Sequence, residues 1–464
     1  MQKVFDEVNS LDQQCYEQYL LSEDILMEHA ATAMMDFIVK NFKPNSKVLI
    51  VCGSGNNGAD GITLARLLYG KFDISLYLAK EPKTDIGKLQ LTRALKVGVQ
   101  PIDEIMFEQY DVVVDALFGS GFDKQMSSDY YNLIEKLNNI TGYKLACDIP
   151  SGINNKGQIN QIAFKADITI TMGALKKSLF LDEAKDYIGE IIVANLGIQR
   201  ELYENNSDIC ILDIDDLKLP IRDNQNTHKG NYGHLAVIVG QMQGAGILCA
   251  DAAFNFGVGL VSVINHKEYQ LPYHIMQSHK LPKNTTAIAI GMGLGNYEQN
   301  EILEILNQDI PKIIDADLFY EKDIKTVLDV DKVVLTPHPK EFCSLLKILE
   351  IADIDVETLQ KNRFEYLQKF CVQYPKIVLV LKGANTLIGH NTKIYINPHG
   401  SSKLSFGGSG DVLSGLIGSL LAQGYSAIEA AINGSLAHTK AAINYKKNNY
   451  SMTPDDLIEA VKSL

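Results

Sequence analysis

The 464-residue sequence predicts two successive α/β domains, each built on a largely parallel sheet covered by helices. Three observations lead there. Short apolar runs alternate with helical patterns, polar and glycine-rich segments recur where those runs end, and the alternation breaks between about residues 205 and 227. At this length more than one hydrophobic core is expected.

The first half opens with a helical stretch over 21–42. KVLIVCG (47–53), ISLYLAK (74–80), DVVVDALFG (111–119), KLACDIPSG (144–152) and ADITITMGA (166–174) read as buried strands. DGITLARLLYG and LQLTRALKVG read as crossover helices, and YNLIEKLNN follows the third strand. Near-continuous apolar strands separated by helices imply a parallel, doubly covered sheet. The polar stretch LDIDDLKLPIRDNQNT then interrupts the pattern, which places the domains at 1–210 and 211–464. The rhythm restarts with HLAVIVG, GVGLVSVI, TTAIAIGMG, PKIIDAD, KVVLTPH, KIVLVLKG and TKIYINP, and a long helix, GSGDVLSGLIGSLLAQG, follows.

Composition narrows the function classes. The chain is 46% hydrophobic and 21% charged, as globular proteins are. With 43 basic against 56 acidic residues its net charge is −13, which argues against a nucleic-acid surface. Small anions remain acceptable ligands, because helix N-termini bind phosphate without net positive charge. Seven dispersed cysteines with no CxxC pattern read as reduced thiols of a cytoplasmic protein. No apolar run of about 18 residues predicts a membrane span, and the polar N-terminus has no signal core. Closed homo-oligomers are common among such proteins, so the reading leans towards self-association.

Ligands of open parallel sheets bind beyond the carboxyl ends of the strands. In the first half the runs expected there are GSGNNGADG (53–61), DALFGSG (115–121) and DIPSG (148–152). The first follows a strand and opens a helix, as a Rossmann-like dinucleotide fingerprint does, although the acidic residue expected about twenty positions later is missing. Turn formation alone accounts equally well for its glycines, but two amides and a carboxylate in the loop (Asn56, Asn57, Asp60) suit a hard cation or a ligand hydroxyl. Asp115 and Asp148 each end a strand, so three carboxylates can converge, although each alone could cap a turn. The second half carries THKGNYGH (227–234), GMGLGN (291–296), DAD (315–317), TPHPKE (336–341), KGANT (382–386) and GGSGD (407–411), and no Walker A loop. GGSGD opening a helix offers backbone N–H groups to an anion, with Asp411 beside it as a base. Lys382 is a point charge for phosphate, and His338 stands in a stiff Pro-His-Pro loop that suits a ligand contact.

With these motifs in order the first half resembles the NAD(P)H-hydrate epimerase family, through LMEHA (26–30), GSGNNGADG, DALFGSG, DIPSG and NLGI (195–198). The second half resembles the ADP/ATP-dependent NAD(P)H-hydrate dehydratases, of ribokinase-like fold, through THKGNYGH, GAGILCADAAFNFGVGLVSV, GMGLG, TPHPKE, KGANT and GGSGDVLSG. The resemblance implies that 1–210 interconverts the R and S epimers of hydrated NADH or NADPH. It implies that 211–464 dehydrates the S form, consuming ADP or ATP with Mg²⁺. It also implies roles. Asn56, Asn57, Gly58, Ala59 and Asp60, with Gly119, Ser120, Gly121, Phe122, Asp123, Lys124 and Gln125, would bind the hydrated nucleotide. Asp148 would be the epimerase acid/base and a substrate contact, and Asn57, Asp115 and Ser151 would hold a potassium ion. Gly293, His338 and Asp411 would contact the dehydratase substrate, Asp411 as the base. Lys382, Gly383, Ala384, Asn385, Thr386 and Gly410 would bind the nucleotide.

The sequence departs from the family pattern at Lys340, Met292 and Ala59, where Gly, Pro and Gly are usual. Two other readings compete. A ribokinase-like small-molecule kinase fused to a nucleotide-binding domain shares the GxGD helix start, but THKGNYGH and KGANT favour the dehydratase. A non-catalytic nucleotide-binding protein is disfavoured by the presence of Asp148 and Asp411.

Overall fold

The computed structural model describes residues 1–464 except 107, 108, 120 and 122–125. The chain divides into two compact units, residues 2–207 and residues 208–464 with Met1. Both are α/β.

In the first unit seven of the described strands form one parallel sheet, in the order Pro101–Ile102, Asp73–Leu78, Lys47–Cys52, Val112–Ala116, Tyr143–Cys147, Ile168–Met172, Glu190–Ala194. The period of two splits each strand between two cores. Val48, Ile50 and Cys52 pack with Met34, Ile38, Ile62 and Leu68 of the helices Glu23–Asn41 and Asn56–Leu68. Leu49, Val51 and Val113 face Ile134 and Leu137 of the helix Ser128–Asn139. Strand order turns outward in both directions from the pair Lys47–Cys52 and Val112–Ala116, so the switch point of a doubly wound sheet lies between these two strands.

A further pairing was not legible in the sequence. Gln2–Phe5 runs parallel to the two-residue strand Leu175–Lys176, with Phe5 opposite Lys176. These strands are too short to leave a periodic signal.

In the second unit seven parallel strands run in the order Met276–Ser278, Leu260–Ile264, His234–Ile238, Ala287–Ile290, Lys312–Ile314, Val333–Leu335, Val378–Leu381. The expected parallel rhythm ends there. Thr386–His390 pairs antiparallel with both Val378–Leu381 and Lys393–Asn397, and Ile209–Ile211 joins the latter in parallel. The connection at Asn391 and Thr392 is too short for a crossover, so only a hairpin can form. Asn391 meets the turn with φ +57°, which Asn tolerates. The helices Gln243–Asn255, Ser409–Ala422 and Ala427–Asn444 bury Ala253, Leu416, Leu420 and Ala437 against Leu235, Val237, Ala289 and Ile313.

No helix among the described residues is long and apolar enough to cross a membrane.

Two candidate active sites

At the switch point of the first unit, the loops after Lys47–Cys52 and Val112–Ala116 meet closely. A Cβ on Gly53 would lie 1.9 Å from the Leu117 carbonyl oxygen, and one on Gly58 would lie 1.9 Å from that of Gly53. Only glycine permits this approach of backbone to backbone.

Asp115 ends its strand fully buried. Its Oδ2 accepts from the Ser151 N–H at 2.7 Å, and its Oδ1 accepts from the Ser151 hydroxyl at 2.7 Å and the Leu117 N–H at 3.1 Å. The Ser151 hydroxyl in turn accepts from the Phe118 N–H at 2.9 Å. Burial pushes the Asp115 carboxyl up to about 6 despite these bonds. All three donors are neutral, so the charge of Asp115 is left to be offset by something else. Asn57 Nδ2 is buried with no hydrogen-bond partner among the described residues, a costly arrangement that a ligand would relieve. Its Oδ1 would be 3.3 Å from a Cβ placed on Gly119. An amide, a carboxylate and a hydroxyl are oxygen donors of the kind that hard cations take.

Asp148 takes φ +70°, in the left-handed region where a side chain is rare and Asp among the better tolerated. Its two oxygens have different surroundings. Oδ1 accepts from Lys176 Nζ at 2.7 Å, from the Met172 N–H at 3.2 Å and from the Thr171 hydroxyl at 3.4 Å. Oδ2 would be 3.1 Å from a Cβ on Gly119, which places it on the same approach as Asn57 Oδ1. Lys176 is only 1% exposed and also donates to Thr171 Oγ1 and the Met172 carbonyl. Sequence reasoning missed this lysine, and its one signal is its place three residues after Gly173, the glycine that follows the ADITITM strand.

Nearby, Asp60 is only partly exposed. Burial first, then the charges of Asp148, Asp12 and Glu23, raises its carboxyl well above the usual range. Asp12, also unforeseen, accepts from the Tyr203 hydroxyl at 2.8 Å and is raised by burial. Asn56 turns outward and donates to Glu23 Oε1 at 2.6 Å. The distant motifs LMEHA and NLGI meet, since a Cβ on Gly197 would lie 2.4 Å from the His29 ring. Gly58 and Ala59 are buried in the first turn of the loop's helix, and Gly121 is exposed. Ser120, Phe122, Asp123, Lys124 and Gln125 lie outside the described residues.

The second site gathers at the carboxyl ends of Lys312–Ile314, Val333–Leu335 and Val378–Leu381. Asp315, 2% exposed, accepts from Lys382 Nζ at 2.8 Å through Oδ1 and from the Ser414 hydroxyl at 2.8 Å through Oδ2. Lys382 Nζ is also 3.9 Å from Glu341 Oε2. Burial works against the charge of Lys382, but Asp315, Glu341 and Asp411 prevail and its pKa is raised. A Cβ on Gly410 would stand 3.5 Å from Lys382 Nζ and 3.9 Å from Asp315 Oδ2. Gly408 starts the 14-residue helix Ser409–Ala422 at φ +99° with no side-chain cap, leaving its first backbone donors open to a ligand. In that first turn burial, with Asp315 beside it, pushes Asp411 up to about 6.

His338 is placed differently from a simple ligand contact. Its Nδ1 caps its own helix, accepting from the N–H groups of Lys340 at 3.1 Å and Glu341 at 3.2 Å. Nε2 therefore carries the proton and points at Glu341 Oε1, 3.1 Å away. Burial, then Lys382, lowers its pKa, so the ring is neutral. Glu341, 6% exposed, is pushed up to about 7 by burial. Lys340 is exposed. Asn385 is 2% exposed, and Thr386 begins the hairpin strand that follows Gly383 and Ala384. Gly293 adopts φ +58° with its carbonyl accepting from the Met242 N–H at 3.0 Å. THKGNYGH does not join this cluster. It precedes the strand His234–Ile238 and so stands at the amino edge of the sheet, where His228 Nδ1 caps a short turn. Asp315, Glu341 and Ser414 were not foreseen as partners.

Comparison with known proteins follows the same division. Residues 23–178 match the YjeF-related protein N-terminus, and residues 235–463 match the family described as NAD(P)H-hydrate dehydratase. The chain is 45% identical to the bifunctional NAD(P)H-hydrate repair enzyme Nnr of Helicobacter pylori, with 100% of both chains covered. It is 34% identical to that of Coxiella burnetii (91% of this chain, 90% of the other) and 32% identical to that of Dictyoglomus turgidum (98% and 96%). A Bacillus subtilis ADP/ATP-dependent NAD(P)H-hydrate dehydratase, co-crystallised with ATP/Mg²⁺, aligns with 54% of this chain and 94% of its own at 26% identity and TM-score 0.45.

Proposed function

The chain belongs to the bifunctional NAD(P)H-hydrate repair family, and from that premise we propose how its residues divide the work. Its function is repair of hydrated NADH and NADPH, by epimerisation of the R and S hydrates and by ADP- or ATP-dependent dehydration of the S hydrate. We assign the first activity to residues 1–210 and the second to 211–464. The small-molecule kinase reading loses to full-length similarity with repair enzymes.

In the epimerase unit Asp148 is the acid/base, with Oδ2, the oxygen that faces Gly119, exchanging the proton. Lys176 orients Asp148 through the bond to Oδ1. Asn57, Asp115 and Ser151 would hold a potassium ion, which would supply fixed positive charge for the oxygens of the bound nucleotide. Asn56 to Asp60 and Gly119 to Gln125 line the substrate crevice.

In the dehydratase unit Asp411 takes the proton of the substrate hydroxyl. That oxygen then bonds to the terminal phosphorus of ATP or ADP, and the bond to the departing ADP or AMP breaks. Hydroxide is a poor leaving group and phosphate a good one, so the phosphorylated ring expels phosphate as its nitrogen lone pair moves in. Loss of a ring proton restores the double bond. Gly410 and its neighbours offer backbone N–H groups to the transferred phosphoryl group, and Lys382 to Thr386 hold the nucleotide. Mg²⁺ arriving with the nucleotide would screen its phosphate oxygens. Gly293 and His338 contact the substrate, the His338 ring being held in place by Glu341 and by its own helix start.

The observation that carries the division of labour is that each unit has its own carboxylates at the strand ends: Asp115 and Asp148, both buried, in one, and buried Asp315 with partly exposed Asp411 in the other. The test is recovery of dihydronicotinamide absorbance from hydrated NADH plus ADP or ATP. Recovery from the S epimer alone indicates dehydratase; recovery from both indicates both units; none with either nucleotide rejects the reading. We place the protein in the cytoplasm, where its cysteines, all free, would stay reduced.

A further inference from the structure

A buried histidine that none of the foregoing roles uses stands behind the GGSGD turn of the second unit. His438 lies in the helix Ala427–Asn444 and is 7% exposed. Gly434 sets its position. A Cβ there would lie 2.6 Å from the Ile417 side chain and 3.2 Å from the Ile417 nitrogen, so glycine lets this helix close on Ser409–Ala422. One turn further on, His438 projects from the same face and reaches Ser409 of GGSGD.

His438 Nε2 is 3.0 Å from the Ser409 carbonyl oxygen, which can only accept, so Nε2 carries the ring proton and donates it. The Ser409 hydroxyl oxygen lies 3.2 Å from the same nitrogen. Burial outweighs the bond to Ser409 and pushes the imidazole down to about 4, so the ring is neutral and adds no charge behind the turn. Among the described residues, these are the only hydrogen bonds that tie residues 407–411 to another α-helix or strand.

The Ser409 carbonyl and the Gly410 N–H belong to one trans peptide unit and point in opposite directions. Holding the carbonyl against His438 therefore turns the Gly410 N–H away from His438. Gly410 itself borders the second site, with Lys382 Nζ 3.5 Å from where its Cβ would stand. The first backbone bond of this helix runs from the Val412 N–H to the Gly408 carbonyl at 3.0 Å, and among the described residues the Gly410 and Asp411 N–H groups meet no acceptor. We propose that His438 is a positioning residue for phosphoryl transfer, its Nε2–H fixing the Ser409 carbonyl so that the Gly410 N–H points at the transferred group. The inference rests on the dehydratase reading above and adds what holds its anion-binding turn in place.

The experiment measures dehydration of the S hydrate of NADH with ATP by the full-length protein and by His438→Gln, His438→Asn and His438→Leu. Gln carries an amide N–H at the reach of Nε2, Asn one that falls short, and Leu none. Removing one oxyanion donor costs about 10²–10³ in kcat, and misaiming one should cost at least about ten-fold. Asn and Leu should therefore lower kcat by at least about ten-fold while the KM of ATP and of the hydrate stay within about three-fold of the parent, the signature of an interaction made in the transition state. Gln should restore kcat to within about three-fold. Should the Leu variant fail to fold, Gln and Asn, matched in polarity, still decide the matter. Full kcat in Asn, equal loss in Gln and Asn, or a raised KM for ATP at unchanged kcat would overturn the proposal. Failure of the parent protein to dehydrate the hydrate would instead reject the dehydratase reading.

Discussion

Lys176 Nζ lies 2.7 Å from Asp148 Oδ1, a buried ammonium tied to one oxygen of a carboxylate whose other oxygen faces Gly119. Removing the ammonium would leave a buried carboxylate without its cation, which favours the protonated form. Lys176→Met should lower epimerisation by at least about ten-fold at neutral pH and shift the acid limb of its pH profile upward. Lys176→Arg should restore part of both. An unchanged pH profile in Lys176→Met, with activity lost, would reduce the lysine to a packing role.

Asp148→Asn should abolish epimer exchange, by about 10²-fold or more, while ATP-dependent repair of the S hydrate continues. Asp411→Asn should do the reverse. Because Asp411 sits at about 6, raised by burial and by Asp315, its basic form grows in as pH rises through about 6. The dehydration rate should climb over that range and level off above it. Measuring both activities on each variant checks the assignment, and joint loss in either would refute it.

Asp115 has a pKa raised from 3.8 to about 6 by burial. A raised carboxyl pKa stabilises the fold below about pH 4, and that contribution is lost as pH climbs through about 6. A bound cation offsets the loss by binding the ionised form. Replacing choline by potassium at pH 7.5 should therefore raise the melting temperature of the epimerase unit by a few degrees, an increment that shrinks towards pH 5. Asp115→Asn should remove the potassium increment. An equal potassium effect in that variant would sink the site.

Gly119→Ala places a methyl group 3.1 Å from Asp148 Oδ2 and 3.3 Å from Asn57 Oδ1. That volume is where substrate must approach, so epimerisation should fall by at least about ten-fold while folding cost stays near about 1 kcal/mol. Dehydration should be untouched. A circular dichroism melt alongside the two assays separates a blocked crevice from a damaged fold.

Much of this molecule was legible in its residues. Alternating apolar runs are local, so the sheets, the helix after GGSGD and the break near 205–227 could be read from them. Exceptions were elements too short for periodicity, such as Leu175–Lys176, and the hairpin strand Thr386–His390, whose direction depends on a two-residue turn. The glycine loops and the ordered family motifs are likewise properties of the linear sequence. Tertiary structure alone decided which charges meet. Lys176 reaches Asp148 across 28 residues, Lys382 reaches Asp315 across 67, and Ser414 reaches Asp315 across 99. It also turned His338 into the cap of its own helix and left THKGNYGH at the opposite edge of the sheet. Period and spacing record which face a residue takes, but a pairing between distant strand ends arises only when the sheet order brings those ends side by side.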